Sequence, residues 1–72
     1  MIIEFLGDYY HGNLIKFERD DINPTVKKTY GELNDQTFKI FDKLNQNGYK
    51  IQYIWECDFD IMIRNMLQRL DD

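Results

Sequence analysis

The sequence predicts an α/β domain with the order strand, long loop, helix, strand, helix, and the two strands parallel. Three observations predict it. An apolar run rich in strand formers opens the chain, a helical period takes over near Thr29, and a second short alternating run, KIQYIW, follows the helix. Two strands joined through a helix are most simply parallel neighbours with a right-handed crossover.

The first strand is Ile2–Leu6, apolar except at Glu4 and stopped by Gly7-Asp8. Alternation puts Ile2, Glu4 and Leu6 on one face, Ile3 and Phe5 on the other. The loop that follows holds Asp8, Tyr9, Tyr10 and His11, and Gly12-Asn13 ends it. Residues 14–17 read as a short strand that Arg19-Asp20-Asp21 and Asn23-Pro24 break. Next, Leu33, Thr37, Ile40, Phe41 and Leu44 recur at helical spacing, with Asn47-Gly48 as the stop. In residues 50–55, Ile51, Tyr53 and Trp55 alternate against Gln52 and Ile54, which makes Trp55 a core residue, with Cys57 beside it. The last helix covers residues 60–70, with Asp58 or Asp60 as its cap.

Size limits what this arrangement does alone. Seventy-two residues make one domain, near the lower limit for a single unaided core. An apolar share of 43% excludes a disordered chain. A two-stranded parallel sheet with one helix on each side leaves open edges. The expected fold is therefore completed by dimerisation, a second copy being the simplest cover. One cysteine excludes an internal disulfide, and with one histidine it excludes a structural zinc site within the chain. The net charge of −4 weighs against a strong nucleic-acid binder, whose footprint is usually basic, but not against a carboxylate-based metal site. No apolar run approaches the roughly 20 residues of a membrane span, and the N-terminus lacks the features of a signal peptide. The expectation is an intracellular protein, in cytoplasm or nucleoid, with no membrane partner.

The opening stretch IIEFLGDYYHG carries the chemistry. A carboxylate inside an apolar strand is costly unless paired or metal-bound, so Glu4 is a candidate ligand. Asp8, just past the strand end, is a second. The competing readings are a solvent-facing or lysine-paired Glu4 and a turn-forming Asp8. His11 has the residue type for proton transfer near neutral pH. Tyr9 and Tyr10 are candidates for stacking on bases, or for packing on the core. Lys27 and Lys28 are candidate phosphate contacts.

These residues resemble the very-short-patch-repair endonuclease family and the related phage homing endonucleases, a branch of the restriction-endonuclease-like fold. The resemblance spans residues 2 to about 60. It rests on Gly7-x-Tyr9-Tyr10-His11, where the family carries Gly-x-aromatic-Trp-His, and on Gly48-Tyr49 leading into Ile54-Trp55-Glu56-Cys57. It implies a minimal, N-terminally truncated restriction-endonuclease-like fragment that nicks or cuts DNA with Mg²⁺ or Mn²⁺. His11 matches a family histidine that handles protons. The family's metal-binding aspartate lies on an earlier strand, and a second family histidine falls near Leu6. Glu4 and Asp8 are the residues expected to hold the metal instead. The alternative is a non-catalytic DNA- or protein-binding module derived from such a nuclease.

Overall fold

The computed structural model describes residues 1–71. Its order is β1 (Ile2–Leu6), α1 (Asp8–His11), β2 (Ile22–Asn23), β3 (Lys28–Thr29), α2 (Tyr30–Gln46), β4 (Ile51–Trp55) and α3 (Glu56–Asp71). The strands β1 and β4 pair in parallel, with Glu4 opposite Tyr53 and Leu6 opposite Trp55. The mixed α/β character and the parallel pair follow the sequence pattern.

The helix α2 starts where its capping chemistry starts. In Thr29-Tyr30-Gly31-Glu32 the Thr29 hydroxyl accepts the Glu32 amide at 3.1 Å, satisfying one orphan N–H of the first turn. It ends at Asn47, and Gly48 takes a left-handed φ of 88° that lets the Tyr49 amide reach back to the Leu44 carbonyl. One face of α2 lies on the sheet, where Phe38 and Phe41 meet Tyr53 edge-on or tilted at 5.3 and 5.5 Å. On the sheet's other face Phe5 meets Phe59 of α3 at 5.4 Å.

Four expectations change. Residues 8–11 form a helical turn rather than loop. Residues 14–17 make hydrogen-bonded turns on the Asn13 carbonyl instead of a strand, because a lone strand there has no pairing partner. The segment after them folds into a small antiparallel hairpin, β2–β3, whose turn puts Lys27 at a φ of 61°. Finally, α3 begins at Glu56 straight from β4, so neither Asp58 nor Asp60 caps it. Glu56 and Asp58 instead sit in the first turn, where acidic groups favour the helix dipole.

The buried apolar residues are Leu6, Tyr30 and Leu33. Around them Tyr30 stacks on Phe17 with ring centroids 4.1 Å apart, and Tyr9 meets both edge-on. Burial, with Tyr9 and Asp21 nearby, pushes the Tyr30 phenol above the ordinary tyrosine range. Trp55 and Cys57, expected in the core, are half-buried at its margin. The molecule is a plate of 43 × 34 × 16 Å, with a radius of gyration of 14.8 Å. A compact domain of this length would have roughly 11 Å.

Candidate functional site

A cavity of about 320 Å³ opens between β1, α1 and α2. Its floor and walls are Leu6, Ile40 and Phe41, and its polar groups are Glu4, Tyr10, His11, Gln36 and Thr37. Strand alternation brings Glu4 here, because it shares a face with buried Leu6. Glu4 is exposed and has no ion-pair partner among the described residues.

His11 is held from two sides. Its helical turn is stopped by Gly12, whose φ of 67° suits a glycine. A Cβ at that position would press into the Tyr30 carbonyl, and the Gly12 carbonyl accepts the Asn34 amide at 3.1 Å. The ring itself lies with Nδ1 at 3.0 Å from the Thr37 hydroxyl. That hydroxyl is 2.9 Å from the Leu33 carbonyl, to which it donates its single proton. Its oxygen can therefore only accept from the imidazole, and the network assigns the proton to Nδ1. The remaining lone pair of neutral His11 is on Nε2. A histidine with a fixed tautomer and one free nitrogen has the arrangement of a general base.

Asp8 goes elsewhere. It is buried, and its carboxylate accepts the Asn13 side-chain amide at 3.0 Å and lies 3.8 Å from the Lys16 ammonium. Its backbone N–H donates to Glu56 at 3.2 Å, and the Asn13 amide also donates to Cys57 Sγ at 3.3 Å. Asp8 thus ties α1 to the start of α3, and it does not line the cavity that Glu4 and His11 share. Among the described residues no group of three or more His, Cys, Asp or Glu is placed to hold a metal ion. Magnesium in such sites takes one or two carboxylates plus phosphate and water. Glu4 fits as one such carboxylate, and Asp8 does not fit as the second.

The other candidates separate as well. Tyr10 is 55% exposed and lines the cavity, so its ring is open to a ligand. Tyr9 is half-buried in the aromatic cluster, its hydroxyl 2.8 Å from Thr25. Lys28 does not line the cavity, but its ammonium is 3.5 Å from the side-chain oxygen of Gln36, which does. Lys27 stands exposed on the hairpin turn.

Sequence reasoning missed Gln36 and Thr37 as site residues. Thr37 carried the available signal, since it is a hydroxyl in an otherwise apolar helical stripe. The asparagines were missed too. Fully buried Asn23 donates to the Tyr9 carbonyl at 2.9 Å and accepts the Thr25 and Val26 amides, fastening the hairpin to α1.

No protein-family model matches this chain, and no curated protein or solved structure does so either. Among the described residues no helix is long and apolar enough to cross a membrane.

Proposed function

We propose that this chain is a nuclease-related domain, similar to the very-short-patch-repair endonucleases, that acts on DNA at the Glu4–His11 cleft. One observation carries the reading. The only histidine, in a motif that resembles the family's, is oriented by Thr37 so that Nε2 is free in a cleft that also holds an unpaired carboxylate. Phosphodiester hydrolysis needs an acceptor for the proton of the attacking water or a donor to the leaving oxygen, and His11 serves at Nε2. Glu4 is the carboxylate that would hold Mg²⁺ or Mn²⁺. When bound, the metal supplies charge stabilisation at the phosphoryl oxygens. Lys28, beside Gln36, would meet a backbone phosphate, and exposed Tyr10 would stack on a base.

The second reading is a non-catalytic DNA- or protein-binding module derived from such a nuclease. The engagement of Asp8 with Asn13 and Lys16 favours it, because a single carboxylate is left in the cleft. Magnesium-dependent nicking of a supercoiled plasmid separates the two. The nuclease reading expects nicking that His11→Ala and Glu4→Gln abolish in folded protein. Absence of nicking by the folded parent protein leaves the binding module.

A further inference from the structure

The helix α3 is sixteen residues long, about 24 Å at 1.5 Å per residue, yet only its beginning rests on the body. Phe59 packs on Phe5, and every residue from 60 to 70 is exposed. The exposed residues are not those of a solvated helix. Met62, Met66, Leu67 and Leu70 are 43, 52, 55 and 81% exposed. At 100° per residue, Phe59, Met62, Ile63, Met66 and Leu70 form one stripe.

We propose that this stripe is covered by α3 of a second copy of the chain, packed antiparallel. Two arguments select this occupant. The first is area. The chain exposes 5749 Å², whereas a folded monomer of this mass exposes about 4,800 Å². The excess of about 1,000 Å² is what one partner contributes to a standard interface, about 800 Å² a side.

The second is charge. On one flank of the stripe lie Asp58 and Arg69; Asp60 lies on the other, and Arg64 falls toward the back of the helix. In an antiparallel pair like flanks face each other. Asp58 then meets Arg69 of the second copy, and Arg69 meets the second copy's Asp58, with the crossing centred near Ile63. A parallel pair would set unlike flanks together, Asp58 against Asp60 of the second copy, and leave Arg69 without an acid. A lipid surface suits the helix less well, because Glu56, Asp58, Asp60 and Asp71 outnumber Arg64 and Arg69. This inference stands independently of the nuclease reading, since α3 contributes nothing to the cleft.

The test is a charge swap followed by sedimentation equilibrium, with circular dichroism to verify folding. The parent should be a concentration-dependent dimer. Asp58→Arg and Arg69→Asp, both at exposed positions, should each weaken it several-fold. The double variant, which restores opposite charges across an antiparallel pair, should recover most of the loss. Met66→Asp should give a monomer. A parent that stays monomeric at high micromolar concentration overturns the proposal, and one that binds neutral or anionic vesicles instead assigns the stripe to lipid. A dimer whose strength is unmoved by either single charge change, or not recovered in the double variant, overturns the antiparallel α3 pairing.

Discussion

Replacing Thr37 with valine keeps the shape of the side chain and removes only the hydroxyl that orients His11. The Leu33 carbonyl retains its ordinary helical partner, the backbone amide of residue 37, so little is lost there. The imidazole Nδ1–H loses its acceptor in a half-buried position. An unsatisfied donor costs about 1–3 kcal/mol, and the added buried methyl returns about 0.8 kcal/mol, leaving a net loss of up to about 2 kcal/mol. For a domain of this size that lowers Tm by up to roughly 15 °C. The more specific readout is the tautomer. With one histidine in the chain, its two ring nitrogens are assigned without ambiguity in a long-range ¹H–¹⁵N spectrum. The parent should carry its proton on Nδ1 when neutral. Thr37→Val should move population to the Nε2–H form, and Thr37→Ser should restore the parent spectrum. An Nε2–H tautomer in the parent, or a spectrum that Thr37→Val leaves unchanged, refutes the assignment whatever the plasmid assay shows.

Three other outcomes are expected. Gly12→Ala should destabilise by more than about 2 kcal/mol in urea denaturation, since left-handed strain of about 1 kcal/mol adds to a collision with the Tyr30 carbonyl; a loss near zero would mean the turn relaxes freely. Asp8→Ala should lower Tm by uncoupling Asn13, an effect of about 1–3 kcal/mol, while keeping any Mg²⁺-linked rise in Tm. Glu4→Gln should do the reverse, and calorimetry of both variants with and without Mg²⁺ checks the pair. Tyr30 titrates above its unfolded value, so its contribution is fully present below the ordinary tyrosine range near pH 10 and is lost as pH rises through the folded pKa. Tyr30→Phe should flatten that alkaline loss in a pH series of melts, and an unchanged slope would place the loss on other groups.

What was legible in the sequence was whatever depends on one element at a time. Alternation in Ile2–Leu6 set Glu4 on the face of Leu6, and the Asn47-Gly48 pair marked the end of α2. What was not legible depends on partners far apart in the chain. Asp8 reads as a loop acid free for a metal, and its capture by Asn13 and Lys16 follows from a turn that residues 8–17 make on themselves. The hairpin was hidden because its strands are two residues each, too short for any period, and because Asn23-Pro24 marks a breaker without showing what the broken segment pairs with. Trp55 looked central because strand alternation says which face a residue takes, not how wide the helix covering that face is.

Among the described residues the buried polar side chains, Asp8, Asn13, Asn23 and Thr37, outnumber the buried hydrophobic ones, Leu6, Tyr30 and Leu33, and this ties the site to the fold. An apolar core tolerates repacking, whereas each of these groups costs stability when its partner is removed. All four lie on the chain's path around the cleft: Asn13 and Asp8 fix the entry to α1, Asn23 fastens the hairpin to Tyr9, and Thr37 sets His11. The cleft is held by directional hydrogen bonds within one chain, and the exposed apolar stripe of α3 lies outside it. The cleft and the α3 stripe fall on opposite faces of the sheet, so loss of the proposed dimer should lower stability without moving the His11 tautomer, and loss of Thr37 should shift the tautomer without dissociating that dimer.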